Sequence, residues 1–360
     1  PAYFKRVGEP VPNDGNYINK IKGTSPVAVN LSARVGNPIE GAEAENKLRT
    51  KTSPGGEATD VLKRYEREVR NTNFSYLTAS EASQHGLDQT IKDFHPDSIA
   101  IGGCNASGIQ NNFQRTGDYR KDHHFSEITI TGDDGKRTVY GIPVYNTYQE
   151  EVSFSVSQNL ALRNKGLTNY QNGSDNSVNN AKGRENYYSK EKTPSYTTSP
   201  LLSVILSPDY VDVTGNGVTD DDLGTAVKFN YSKLPSLYKW RTPFARGQDT
   251  ANYNEGFLSD DKDDKASYVY GEKEIWYLHS IESKTMIAHF ITENRDDALG
   301  VTDSRGGLNT SVRLKRLKEI RLYSKSDLRL NGNDLSKVTP IKVAHFVYDY
   351  SICRGLPNSI

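Results

Sequence analysis

The stretch with the strongest chemical signature is "DVTGNGVTDDD", residues 212–222. Side-chain oxygens fall on alternate positions there, and glycines stand where the backbone must fold over. A hard cation such as Ca²⁺ takes roughly six to eight oxygens, and a tight loop with donors at alternating positions can supply them. The donors here are Asp212, Thr214, Asn216, Val218 through its carbonyl, and Asp220, with Gly217 for the sharp turn. An EF-hand would need a bidentate Glu where this chain has Leu223, so a helix–loop–helix sensor is disfavoured. Asp221 or Asp222 could provide the missing oxygens. Strand-like runs on both sides, "LLSVILSPDYV" and "AVKFNYS", place the loop inside a β-structure, where a structural Ca²⁺ would pin a connection. The alternative is a metal-free polar turn, since Asp, Asn and Gly dominate turns for backbone reasons of their own.

Other constellations carry less. "YRKDHHFSE" offers Asp122, His123, His124 and Glu127, but adjacent histidines on a strand point to opposite faces. "SDDKDDK", residues 259–265, reads most simply as a solvated loop. No GxSxG elbow, HExxH, P-loop or GxGxxG is present. His279, His289 and His345 each sit inside a strand pattern. The tyrosines and Trp240 could stack on sugars, although cross-strand packing explains them more simply.

The elements that must position these residues are mostly strands. Tyr 22 against Met 1, with abundant Gly, Asn, Ser and Thr, favours strands and turns. "GEATDVLKRYEREVRN" has helical spacing at Val61, Leu62, Tyr65 and Val69. "TASE" has capping-box form, so a short helix starts at Thr78 and ends at Gly86. "HFSEITITGDDGKRTVYGIPVY" reads as strand, turn, strand, with "EVSFSVS" as a further short strand. Residues 164–199, nearly free of aliphatics, read as a long exposed loop or linker. Six strand-like segments follow: "PLLSVILS", "AVKFNYSKL", "EKEIWYLHSIES", "TMIAHFITEN", "RLKEIRLYSKSD" and "IKVAHFVYDYS".

Bulk properties exclude some classes. Lys plus Arg and Asp plus Glu are both 45, and the zero net charge argues against nucleic acid as a partner. No apolar run approaches the ~18–20 residues of a membrane span. A chain opening on Pro1 reads as an excised piece of something longer, and its first residues carry no signal-peptide pattern. Cys104 and Cys353 are expected to be buried free thiols, with a disulfide as the alternative.

Taken in order, "FSYLTASEASQHGLD", "HHFSEITITGDDGKRTVYGIPVYNTYQEEVSFSV", "SPDYVDVTGNGVTDDDLGTAVKFNYSK", "YKWRTPF", "SYVYGEKEIWYLHSIESKTMIAHF", "RLKEIRLYSKSD" and "IKVAHFVYDYS" resemble the very large RHS/YD-repeat-type proteins secreted by Bacteroidetes. They are also similar to the shell-forming parts of the B components of insecticidal toxin complexes. The resemblance covers residues 70–360. It implies a secreted or cell-surface protein whose β-shell encloses or presents an effector. It also places Asp212, Thr214, Asn216, Val218 and Asp220 on a calcium-type loop, with Thr214 and Asn216 replacing the commoner Asn or Asp, which lowers the expected affinity because one charge is absent. The chain departs from the pattern in lacking tandem YD repeats and the Asp-Pro signature of a self-cleaving region, so effector activity is expected outside it.

The expected fold is mainly β, with multi-stranded antiparallel sheets arranged as a shell, sandwich or propeller and a minor helical element in the N-terminal third. The expected organisation is a mixed segment over 1–118, a hairpin over 119–163, the linker over 164–199 and an RHS-like β-segment over 200–360. The expected role is structural and non-catalytic, with a structural Ca²⁺ and partners in the same large polypeptide, an enclosed effector or surface glycans. The alternative is a calcium-dependent carbohydrate or cell-surface binding module. Exposed aromatics clustered beside the loop would favour that alternative, and aromatics buried between strands would favour the structural role. An enzyme would need a cleft with two close carboxylates, one with a raised pKa.

Overall fold

A computed structural model describes residues 2–6, 72–87, 92–94, 109–112, 114–157, 166–215, 217–257, 259–260, 262–352 and 354–359. The helix expected near Val61–Val69 lies outside the described residues, as do Cys104, Cys353 and Asn216.

The chain is mainly β. Its described strands are β1 (Ala2–Arg6), β2 (Thr72–Thr78), β3 (Lys92–Phe94), β4 (Ile109–Asn112), β5 (Phe125–Gly132), β6 (Arg137–Ser155), β7 (Leu167–Asn169), β8 (Tyr188–Thr193) and β9 (Tyr196–Leu206). They continue with β10 (Ala226–Lys233), β11 (Tyr238–Thr242), β12 (Thr250–Asn254), β13 (Lys265–Lys273), β14 (Trp276–Glu282), β15 (Met286–Asp303), β16 (Gly306–Ser324) and β17 (Lys342–His345). Two short helices, α1 (Ala79–Gln84) and α2 (Lys325–Leu330), accompany them. All the strands belong to one open hydrogen-bonded network. Pairing is antiparallel except between β1 and β2 and at a single bridge from β10 to β3.

The long strand β6 is the spine. Asn146 pairs with Tyr196 of β9 on one edge and Lys273 of β13 on the other. Its first half therefore lies between β5 and β9, and its second half between β13 and β8. From β9 the sheet runs on through β10, β14, β15, β16 and β17. On the far edge of β13, β11 and β12 lie end to end, and β7 adds to β12.

Local chemistry explains the best-read elements. Thr78 caps α1 with both arms of the capping box: its hydroxyl accepts from Glu81 N, and Glu81 accepts from Thr78 N at 3.0 Å. Gly86, with φ +72°, closes that helix, because only glycine takes this conformation without strain. In the β5–β6 turn Asp134 accepts from Lys136 N at 2.9 Å, and Gly135 again supplies the positive φ.

Two expectations are corrected here. "EVSFSVS" is the second half of β6 and not a separate strand, because partners on both edges keep the ladder going across Gly141 and Pro143 through local register shifts. The segment 164–199 is no free loop, since it contains β7, β8 and the start of β9. Most of it stays exposed or half-buried, but a few polar residues are used inside: Asn180 is buried and donates to the carbonyls of Ser155 and Asp175, at 2.9 and 2.6 Å. Low hydropathy therefore marked edge pairing and side-chain hydrogen bonding in place of disorder. Strands on either side of the segment pair directly, β6 with β13 and with β9. Further on, "RLKEIRLYSKSD" turns into α2 at Lys325, and only Lys342–His345 of "IKVAHFVYDYS" is strand.

The main core packs Val152 and Phe154 of β6 against Tyr170, Ala251, Tyr253, Tyr268 and Val301. Phe154 meets Tyr170 edge-on at 5.1 Å, and Tyr170 stacks on Tyr268 at 5.7 Å. Such aromatic pairs add about 0.5–1.5 kcal/mol beyond their buried area. A second cluster, Ile287, Tyr323, Leu328 and Val338, fixes α2 on the β15–β16 hairpin.

Candidate functional site

The connection from β9 to β10 is a stalk with a polar head. Ser207 N donates to Thr225 O at 2.9 Å, and Thr225 N donates to the Ser207 hydroxyl at 2.8 Å. Val211 and Leu223 then form an isolated antiparallel bridge. Above this neck the chain turns through Gly215 and Gly217, at φ +69° and +91°. Asp212 closes the turn, accepting from Gly215 N at 2.7 Å and Gly217 N at 3.0 Å.

Asp222 is the internal anchor. It is 2% exposed and accepts from the Tyr210 hydroxyl at 2.6 Å, Thr219 N at 2.8 Å and Val213 N at 3.3 Å. Burial, followed by the bond to Asp222, raises the Tyr210 hydroxyl well above its ordinary pKa. Asp221 stays on the surface, where hydroxyl groups of Thr219 and Thr214 bond to it. The Thr219 bond is the main reason its carboxyl lies below the usual range.

The remaining expected ligands face the protein's own cations. Asp220 bonds to Lys325 Nζ at 2.7 Å and to the Arg329 guanidinium. The Val218 carbonyl accepts from Lys228 Nζ at 3.4 Å, and the Asp222 carbonyl from Lys284 Nζ at 2.7 Å. Lys325, 2% exposed, also reaches Ser283 O at 3.1 Å and Glu282 at 3.2 Å. Between Val218, Asp220, Lys228 and Lys325 is a gap of about 20 Å³. That is room for one water-sized group. A dication there would meet ammonium groups on two sides, so the described oxygens of Asp220 and Val218 do not fit one in this arrangement.

Of the sequence-derived ligands, Asp212 and Thr214 therefore serve the loop itself, while Asp220 and Val218 serve its attachment to the body. Sequence reasoning missed Lys228, Lys284, Lys325 and Arg329. They lie up to 109 positions away, and no local pattern ties a lysine in "SKSD" to an aspartate in "DDD". Among the described residues, no group of three or more His, Cys, Asp or Glu side chains is placed to hold a metal ion.

A second charged cluster sits at the β13–β14 turn. Glu274, 2% exposed, takes the Arg120 guanidinium, Lys233 Nζ at 2.7 Å and the Tyr119 hydroxyl at 2.5 Å. Its other oxygen accepts from Tyr145 N at 3.3 Å. Burial opposes its charge, but Arg120 and Lys233 outweigh burial and hold the carboxyl below the usual glutamate range. A carboxylate satisfied in this way is an anchor for the 114–124 segment and a poor proton shuttle.

The histidines of "DHHFSE" precede β5 in a loop. His124 Nδ1 lies 3.2 Å from the Tyr145 hydroxyl, and its ring packs edge-on against His123 at 4.8 Å. Burial raises the Glu127 carboxyl, and the charge beside it is Arg115 at 3.6 Å, where a catalytic dyad would have a second carboxylate. Asp264 of "SDDKDDK" is buried, accepting from the Tyr253 hydroxyl and from Gly256 N at 2.9 Å. No described helix is long and apolar enough to cross a membrane.

No family model, curated protein or solved structure matches this chain.

Proposed function

We propose that this chain is a non-catalytic structural segment of a larger secreted β-shell protein of the RHS/YD-repeat kind. The observation that carries the reading is where the aromatic residues lie. Tyr145, Phe154, Tyr170, Tyr268 and Tyr323 are buried between strands. Beside the 207–225 connection the exposed large apolar residues are aliphatic: Val211, Val213 and Leu223. Its only tyrosine, Tyr210, spends its hydroxyl on Asp222. Exposed aromatic faces there would favour a calcium-dependent glycan module, so their absence among the described residues of the connection favours the structural role.

In this reading Lys228, Lys284, Lys325 and Arg329 clamp the connection in place of a bound ion. Two measurements test it. The intact mass of the natural protein should be well above the 40.1 kDa of this chain; a natural protein of that mass would overturn the assignment to a larger shell. The melting temperature should be the same in calcium and in EDTA. A ligand at a hundredfold excess over Kd stabilises the native state by about 2.7 kcal/mol. A calcium-dependent rise that Asp212→Ala abolishes would replace the clamp with a metal-pinned loop.

A further inference from the structure

Between strands β15 and β16 the register shifts three times, and one of these shifts is a large bulge in β15. Asn294 pairs with Lys315 and Leu299 with Arg313, so four residues of β15 oppose the single residue Leu314. The bulge is held firmly. Tyr238 donates to the Ala298 carbonyl at 3.1 Å, and Leu299 N donates to Asn358 O at 3.0 Å. Ala298 itself sits at φ +56°, a strained value for a residue with a Cβ. Large bulges re-aim side chains and are over-represented beside binding sites.

What this bulge re-aims is one wall of a cleft of about 720 Å³, whose other wall comes from residues 348–352 and 354–359. That volume falls within the range of small-ligand sites, roughly 300–1,000 Å³. The cleft floor is organised around Arg316. Its guanidinium lies 5.0 Å from the Tyr348 ring centre and 5.3 Å from that of Tyr350. Both tyrosines are tied at their polar ends: Tyr348 donates to Leu317 O at 2.5 Å, and the Tyr350 hydroxyl accepts from Arg316 at 2.6 Å. Each residue nevertheless remains about two-fifths exposed, at 44% and 38%.

The charges in the cleft divide into spent and unspent. Arg295 is forked onto Asp297 at 2.7 and 2.6 Å, Arg316 pairs with Glu293 at 2.7 Å, and Asp349 holds Ser351 N and its hydroxyl, both at 2.7 Å. Lys315 and Arg354 line the cleft without an ion pair among the described residues, while Asp296 lies near enough to Arg316 to favour its charge. The unspent set is thus two cations, next to two pre-ordered tyrosines and the Asp296 carboxylate.

We propose that this cleft binds an acidic sugar of the uronate class, one carboxylate on a hydroxyl-rich ring. The carboxylate would meet Lys315 and Arg354 in charge-assisted hydrogen bonds. Ring hydroxyls would donate to Asp296, and the C–H face of the pyranose would lie on the Tyr348 and Tyr350 rings. A phosphate dianion fits less well, because it offers no ring to the Tyr348 and Tyr350 faces and brings its second charge up to Asp296. The site owes nothing to the 207–225 connection, so it stands or falls separately from the structural reading.

The test is isothermal titration of the intact chain at low ionic strength with galacturonate, galactose and inorganic phosphate. Galacturonate should bind with a Kd on the order of 1 mM or tighter. Lys315→Ala combined with Arg354→Ala should weaken it about tenfold or more while leaving the melting temperature in place. Tyr348→Ala should also weaken it by removing a ring face. Failure of galacturonate to bind would overturn the proposal, as would unchanged binding in the lysine–arginine double variant. Equal binding of galactose would remove the acidic specificity, and displacement by equimolar phosphate would reduce the site to a simple anion pocket; either result refutes the uronate assignment.

Discussion

Glu274 and Asp220 are both carboxylates gripped by two of the protein's own cations, yet they sit in opposite surroundings. The Glu274 side chain is fully buried, with Arg120 and Lys233 largely covered around it. The Asp220 side chain is 27% exposed, and of its two partners Lys325 is buried while Arg329 is 48% exposed. The same pairing therefore means different things at the two sites. A buried carboxylate that loses its partners leaves an uncompensated charge in a medium that cannot solvate it, whereas an exposed one returns to water. The β13–β14 turn should behave as part of the core, and the 207–225 connection as an attachment to it.

The comparison breaks most visibly if one carboxylate is removed from each site. Glu274→Ala leaves Arg120 and Lys233 facing each other, and should cost about 3–5 kcal/mol in denaturant unfolding. A loss no larger than that of Asp220→Ala would show that the two sites are equivalent after all.

Lys325→Met comes next. It leaves Glu282 and Asp220 without the buried ammonium, and a loss of about 2 kcal/mol is expected from stranded charge and hydrogen bonds. Hydrogen exchange should then rise in the 207–225 connection while β6 stays protected. Uniform loss of protection would mean that the connection is part of the core.

The acid limb sharpens the contrast without mutation. The folded Glu274 carboxyl lies below its unfolded value, so its contribution is fully present above the ordinary glutamate pKa, near 4.5, and fades as pH falls from there toward the folded value. Glu274→Gln should flatten stability against pH in that acid window and leave the neutral region parallel to wild type. An unchanged acid limb would remove Glu274 as the main acid-sensitive anchor.

Asp212→Ala is the smallest effect. It removes two hydrogen bonds to loop backbone in an exposed turn, worth roughly 1 kcal/mol together after solvent competes for the same donors. A loss as large as that at Glu274 would point to a bound ion that Asp212 helps to hold.

Much of the fold was legible because strand signals are local. Alternation in "HFSEITITG", the capping box of "TASE" and the apolar runs before and after the 207–225 connection all rest on neighbours one to four residues apart. Residues 164–199 were misread for the complementary reason. Asn180 looks like a loop residue until the carbonyls of Ser155 and Asp175 are placed beside it. The candidate site divides in the same way. Asp212 with its two glycines can be read from spacing alone, since it bonds within five residues. The partner of Asp220 cannot, because Lys325 arrives from a helix 105 residues later.

By itself the sequence determined that this chain would be strand-rich, where several turns would fall, and that the head of the 207–225 connection would be a tight oxygen-lined loop. Those features follow from backbone sterics, side-chain period and short-range hydrogen bonding, which need no knowledge of the rest of the chain. Only the tertiary structure decided which oxygens face a lysine, which tyrosines lie between strands and which remain open beside Arg316. Those outcomes depend on which strands become neighbours, and sheet pairing brings together residues whose separation in sequence carries no signal of their contact.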